Sequence, residues 1–178
     1  MQVILQTQRM LLRTLEDTDF DNLCTILQDA ETMAAYEHAF EDWEVRDWLK
    51  RQQQRYQEDG VGLWACIHAQ TGAFLGQAGL TMQPCDGERV LEIGYLFQKQ
   101  YWHHGYATEA AVACKQYAFA VLGADKVYSI IRTTNLPSQR VAVRNGMQKE
   151  KQIQKFYYNM WMPHDVYSVS RKQEEKHP

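Results

Sequence analysis

The chain has 178 residues, 45% hydrophobic, 12% aromatic and 23% charged, and its 19 basic and 22 acidic residues leave a net charge of −3. That length suits one domain burying roughly 70% of its extended surface, and so rich an apolar share excludes a disordered chain. No apolar run approaches the ~20 residues a membrane helix needs, the start at residues 1–6 is too short and polar for a signal peptide, and an acidic balance argues against general nucleic-acid binding.

Residues 9–13 read as a first strand. Asp17, Thr18 and Asp19 offer caps for a helix in which Phe20, Leu23, Cys24, Ile26 and Leu27 recur at helical spacing. A second helix over residues 41–58 carries Trp43, Trp48, Leu49 and Tyr56, and Asp59-Gly60 ends it. Strands follow at 63–67, 74–80 and 90–97, with turn signals at Thr71-Gly72 and Asp86-Gly87. Gly105 opens a long Ala-rich helix to about Leu122, closed by Gly123. A β-branched strand at 126–132 precedes a short helix at 136–144, which Asn145-Gly146 terminates. Two strands, around 147–155 and 166–171, flank an aromatic stretch, and residues 172–178 read as a frayed tail. This order predicts a single α/β domain over residues 1–171 with a mixed sheet and flanking helices.

The small net charge hides an uneven layout. Residues 1–62 hold 6 basic and 13 acidic residues, whereas residues 126–155 hold 7 and 1. Such a chain either binds ligands of opposite sign in two places or simply has solvated faces. The cysteines, Cys24, Cys66, Cys85 and Cys114, form no CxxC pair, and no His pair completes a zinc set. They read as reduced thiols of a cytoplasmic protein, with no metal implied.

After the strand at 90–97, the run from Tyr101 to Thr108 leads into a helix. A helix N-terminus presents unpaired N–H groups and a partial positive charge, which together bind phosphate. Gly105 and Ala107 let a ligand approach the backbone closely. The same features also occur in purely structural helix starts. The loop is neither a Walker loop nor a Rossmann G-x-G-x-x-G.

Trp102-x-x-Gly105-x-Ala107-Thr108-Glu109-Ala110 resembles the coenzyme A pyrophosphate loop of the GNAT N-acetyltransferases, and more narrowly their RimJ/RimL-like branch. Further matches follow in family order: Arg9-Met10-x-Leu12-Arg13, Trp64-Ala65, Gly76-x-x-Gly79-Leu80, Glu92-Ile93-Gly94-Tyr95, Asn135-x-x-Ser138, Arg144-Asn145-Gly146-Met147 and Asp165-Val166-Tyr167-Ser168. The resemblance implies a GNAT fold, a mostly antiparallel mixed sheet of about seven strands, and transfer of acetyl from acetyl-coenzyme A to an amine. Three positions depart from the branch pattern. His103 is often Gly there, His104 usually Lys or Arg, and Met147 typically Phe, so the fixed positive charge over the pyrophosphate is weaker in this chain.

A substrate ammonium with a pKa near 10.4 must lose its proton before it attacks, so the site needs a proton acceptor and a polar place for the oxyanion. Strand alternation puts Glu92, Gly94 and Leu96 on one face and Leu91, Ile93 and Tyr95 on the other. Glu92 is the candidate base, with a structural or solvent-facing carboxylate as the plain alternative. The resemblance implies that the backbone of Tyr95, Leu96 and Phe97 pairs with the pantetheine arm. It implies that His103, His104, Gly105, Tyr106, Ala107 and Thr108 surround the pyrophosphate. It also implies that Asn135 binds the coenzyme and that Ser138 approaches its sulfur as a possible acid, although Asn-Leu-Pro-Ser is equally good helix-start sequence. Arg140 and Arg144, four apart on one helix face, can reach coenzyme phosphates or remain solvated.

On the amine side, Tyr36, Glu37 and Trp43 lie where family members place the loop over the acceptor, and Tyr158 falls in the opposite wall. Acids with aromatics suit a cationic amine, and they equally suit a capped helix start over a core. The acceptor is then a protein N-terminus or a small amine, and the protein a monomer or homodimer. The rival from another class is a non-catalytic acyl-coenzyme A sensor, and a third is a purely structural domain.

Overall fold

The computed structural model describes residues 2–174. Its strands are β1 (Val3–Gln6), β2 (Met10–Arg13), β3 (Leu63–His68), β4 (Phe74–Cys85), β5 (Glu88–Phe97), β6 (Lys126–Arg132), β7 (Gln148–Tyr157) and β8 (Met160–Ser170). Its helices are α1 (Phe20–Leu27), α2 (Asp42–Glu58), α3 (Tyr106–Ala120), α4 (Leu136–Arg144) and the short α5 (Arg171–Glu174). The strands form one eight-stranded sheet in the order β1-β2-β3-β4-β5-β6-β8-β7. Seven of them answer the seven expected from the sequence. The eighth, β1, is a four-residue edge strand paired with β2.

Each helix face follows its sequence period. On α2, Val45, Trp48, Leu49 and Gln52 are buried, and Glu41 and Glu44 close a capping box at its start. With α1 it covers one face of the sheet, around Leu23, Ile26, Leu27 and Trp48. The other face takes α3 and α4, where Ala110, Ala111, Cys114, Ala118 and Ala142 allow close approach to Trp64, Ile93 and Val127. A bidentate pair from Arg13 to the buried Asp19, 2.6 and 2.7 Å, ties β2 to the start of α1.

The aromatic stretch expected between the last two strands lies within them. β7 and β8 join through Tyr158-Asn159, both at positive φ (47° and 61°), as a two-residue hairpin turn requires. Order also continues past Ser170. The buried Lys115 ammonium donates to Glu174 at 2.7 Å and to the Asn145 carbonyl at 3.0 Å, which anchors α5. Of the tail expected at 172–178, residues 175–178 lie outside the described residues. Among the described residues, no helix is long and apolar enough to cross a membrane.

All neighbouring strands pair antiparallel except β5 and β6, which α3 connects by a crossover. That parallel pair meets in register only at Glu92 and Tyr128. Beyond Ile93 the two strands diverge and leave a gap in the middle of the sheet. On the other side of β5, β4 stays closely paired along its whole length. The closeness of β3 and β4 depends on Gly79, where a Cβ would fall 2.1 Å from the Gly62 carbonyl oxygen and 2.9 Å from Leu63 Cα. Backbone atoms cannot swing aside as a flexible side chain can. Gly79→Ala should therefore destabilise the fold by about 3 kcal/mol, the upper range for overpacking, read as a lower urea midpoint with the slope unchanged.

Candidate active site

The gap between β5 and β6 opens into a cleft of about 600 Å³ that runs from α2, over β5, to the start of α4. Glu92 stands on its floor. Its Oε1 accepts the Ile130 backbone N–H at 3.0 Å, so a side chain satisfies a donor that the diverging strand no longer serves. Ser129 Oγ donates to the Ile93 carbonyl at 3.1 Å and makes a second stitch at the same level. Burial pushes the Glu92 carboxyl above its ordinary value, and the charges of Lys155 and Arg55, the Ile130 N–H and Thr81 only partly offset this. A carboxylate raised in this way is a better proton acceptor near neutral pH than an exposed one.

Tyr95 points to the other face, as alternation requires, and its hydroxyl donates to the Ser138 carbonyl at 2.9 Å. The strand thereby holds α4 across the gap. Burial pushes the Tyr95 phenol upward, so it keeps its proton. Asn135 caps α4, its Oδ1 accepting the Ser138 N–H at 3.3 Å, and both residues also line the cleft. The capping and cleft-lining roles therefore coexist. Arg140 and Arg144 are exposed on the outer face of α4, beside a shallow hollow with Leu136, Val143 and Tyr167, and not in the main cleft.

The loop from β5 to α3 turns through positive φ at His103 (63°) and Gly105 (83°), the residue that caps α3. His103 and His104 are both exposed. The His104 ring contacts the Trp102 carbonyl at 2.7 Å and stacks with Tyr106, and Trp102 Nε1 donates to the Phe97 carbonyl at 2.8 Å. Ala107 and Thr108 follow in the first helical turn, and Glu109 N–H, bonded to the Gly105 carbonyl, is the first to find a helical partner. Sequence reasoning gave Arg9 no role here. Its guanidinium lies 4.3 Å from the Tyr106 ring centroid, donates to the His104 carbonyl at 3.0 Å, and would sit 3.5 Å from a Cβ on Gly105. It brings the loop a guanidinium held in place by Glu109.

On the opposite side, Tyr36, Trp43 and Tyr158 all line the cleft. Tyr36 packs edge-on to Trp48 at 5.9 Å, and Tyr158 packs edge-on to His38 at 4.8 Å. Glu37 lies elsewhere. At φ 72° it turns to an ion pair with Arg132, which fixes the loop to β6 and leaves its charge unavailable to the cleft. The structure adds Arg51 and Arg55 of α2, Thr81 and Gln83 of β4, and Lys155 of β7 to the lining. Their one sequence signal was the four-residue spacing of the two arginines.

Other chemistries find less support. Cys66 and Cys114 are buried and their thiols are raised, that of Cys114 to about 12, which makes them poor nucleophiles. Among the described residues, no three His, Cys, Asp or Glu side chains group to hold a metal ion.

The sequence description of the acetyltransferase (GNAT) domain family matches residues 9–148. YkkB of Bacillus subtilis (strain 168) is 37% identical over 153 residues, which are 85% of this chain and 89% of that protein. Among solved structures, an acetyltransferase (GNAT family) from Bacillus anthracis superposes with a TM-score of 0.80 at 24% identity, over 94% of this chain and 98% of that one. RimL, a ribosomal L7/L12 alpha-N-protein acetyltransferase in complex with coenzyme A, superposes at 0.77 with 14% identity, over 95% and 98%. At these identities the two structures share the fold alone with this chain.

Glu109 braces the α3 loop. Its carboxylate accepts from Thr7 Oγ1 (2.6 Å), Arg9 N (2.9 Å) and Arg9 Nε (2.7 Å). Burial raises this carboxyl, but the three hydrogen bonds and the Arg9 charge more than offset that and hold it below its ordinary value. A lowered value stabilises the fold at pH above the unfolded carboxyl, about 4.3, and the contribution is lost as pH falls through the folded value. Glu109→Gln should therefore cost about 1–2 kcal/mol at pH 7, the low end for hydrogen bonds to charged groups because Arg9 is partly exposed, and less below about pH 4. Urea unfolding at the two pH values measures the difference.

Proposed function

The chain belongs to the acetyltransferase (GNAT) family, and we propose that it moves acetyl from acetyl-coenzyme A to a primary amine by direct transfer in a ternary complex. Glu92 is the proton acceptor in this reading. The observation that carries it is the placement of that raised carboxylate on the cleft floor, where the sheet opens.

The residues present suit the coenzyme. On its β6 side, where β5 has no strand partner past Glu92, the stretch at Tyr95, Leu96 and Phe97 offers backbone groups to the pantetheine arm. The start of α3, with Gly105, Tyr106, Ala107 and Thr108, offers N–H groups to the pyrophosphate, with His103, His104 and Arg9 beside them. Asn135 extends the same wall, and Arg140 and Arg144 supply outer cations for phosphate. When bound, acetyl-coenzyme A supplies an activated acyl carbon as a thioester. Glu92 then takes the proton that the ammonium must lose. The Ser138 hydroxyl gives a proton to the departing sulfur, with the Tyr95 phenol held against its carbonyl. Tyr36, Trp43 and Tyr158 face the amine.

The ordered motifs favour the RimJ/RimL-like branch, with a protein N-terminus or a small amine as acceptor. We place the enzyme in the cytoplasm, as a monomer or homodimer, without a metal.

Thiol release from acetyl-coenzyme A over a panel of amines and N-terminal peptides tests the reading. Tight coenzyme binding with no turnover across the panel would identify a sensor instead. With an accepted amine, Glu92→Gln should lower kcat by about 10²–10⁴-fold, the usual range for a general base, and leave KM for acetyl-coenzyme A unchanged. The wild-type rate should fall on the acid side at a pH above the ordinary carboxylate range, and the variant should lose that limb. A raised carboxyl stabilises fully below its unfolded value, and that contribution is lost as pH rises through the folded one. Glu92→Gln, which can still accept the Ile130 N–H, should thus be at least as stable as wild type at pH 8. Unchanged kcat at neutral pH would remove Glu92 from this role.

A further inference from the structure

Among the described residues, two cations that line the cleft, Arg55 and Lys155, have no ion pair within 4.0 Å. Arg51 and Arg55 sit four residues apart on one face of α2, a spacing at which like charges repel. Lys155 enters from the opposite wall, on β7. Of the acids nearby, Asp47 also lines the cleft, exposed and four residues before the exposed Arg51, while Glu44 and Glu37 are engaged. Glu44 is held by His38 at 2.9 Å and by the Glu41 backbone N–H at 2.9 Å. Glu37 belongs to Arg132. Among the described residues, no ion pair within 4.0 Å joins Glu92 to either Arg55 or Lys155. The half-buried Arg55 donates to the Gln52 side-chain oxygen at 3.3 Å and has lost hydration, while Glu92 and Asp59 act on it only from beyond ion-pair distance.

We infer that the acceptor carries a carboxylate near its reacting amine, with Arg55 and Lys155 holding the anion while Glu92 receives the amine. The inference rests on the acetyltransferase reading and names the substrate class of that same cleft. A polyamine would set further positive charge among Arg51, Arg55 and Lys155. An amine with a carboxylate gives each charged wall a partner, and a guanidinium is suited to hold a carboxylate by two hydrogen bonds. Thr81 and Gln83 add neutral hydrogen-bonding groups to the lining. Two sources offer this chemistry, a free amino acid or an acidic residue at the start of a polypeptide.

The test compares kcat/KM within matched pairs by thiol release. Free α-amino acids are set against their carboxamides, peptides beginning with Asp or Glu against those beginning with Asn or Gln, and polyamines are run alongside. The carboxylate member of at least one series should be preferred about 10- to 100-fold, the span of a charge-assisted hydrogen bond. Preference among free amino acids identifies the small-molecule source, and preference among peptides the polypeptide source. Arg55→Gln should bring the ratio close to one, and Arg55→Lys should keep part of it. Lys155→Gln, on the hairpin strand, should lower the ratio about tenfold. Equal or better turnover of carboxamides or polyamines overturns the inference alone, as does an equal fall for both members of a pair in Arg55→Gln. Absence of turnover with every amine overturns the transferase reading and this inference together.

Discussion

One constraint shapes the molecule: β5 and β6 run parallel and share a single residue pair before they part. A sheet opened in its middle leaves backbone donors facing the gap, and buried donors without partners are costly. The Ile130 N–H is answered by a side chain, the Glu92 carboxylate. Farther along, the Tyr95 hydroxyl spans the opening to the Ser138 carbonyl and fixes the end of α4 that faces it. The groups that repair the break are therefore the ones that line the cleft. Because β4 remains fully paired with β5 on the other side, the gap is a local feature in an otherwise continuous sheet.

The charges are organised by contacts and not by stretches of sequence. The acidic N-terminal third reads as an attractor for a cationic amine, yet Asp19 is spent on Arg13, Glu37 on Arg132 and Glu44 on a capping box and His38. The basic stretch at 126–155 reads as the coenzyme side, yet Arg132 and Lys155 both line the main cleft instead. Only Arg140 and Arg144 stay on the outer face of α4. At the α3 loop the fixed cation comes from Arg9, distant in sequence and locked by Glu109. Summed charge over a segment says little about a field that is set by pairs a few ångströms apart.

Much of the fold was legible because its signals are local. The helical spacing of Phe20, Leu23 and Leu27, the alternation through Glu92 and Tyr95, and the Gly105 and Asn135 caps each depend on neighbours within a few residues. β1 escaped because four residues at a sheet edge carry too short a pattern. The hairpin turn at Tyr158-Asn159 escaped because neither residue is glycine, although both adopt the left-handed conformation. Within the site, Glu92 could be picked from the strand pattern, whereas Ser138 came from the family resemblance and its local pattern spoke only for a helix start. The Tyr95–Ser138 bridge, the Arg9 brace and the Arg55–Lys155 pairing of walls join residues between 43 and 100 positions apart, and no local pattern records them.

If Glu92 is the base proposed above, its position sets catalysis against stability. A paired β5–β6 ladder would satisfy Ile130 by backbone alone and close the cleft between the strands. Opening the ladder makes the cleft but strands a donor, and a carboxylate is a strong acceptor for it. The same burial that makes this hydrogen bond valuable penalises the carboxylate's charge and raises its proton affinity. Lys155 and Arg55 lie close enough to moderate that penalty and too far to cancel it by direct pairing. One and the same burial thus makes the hydrogen bond to Ile130 and the raised carboxyl, and a closed salt bridge with either cation would lower that carboxyl.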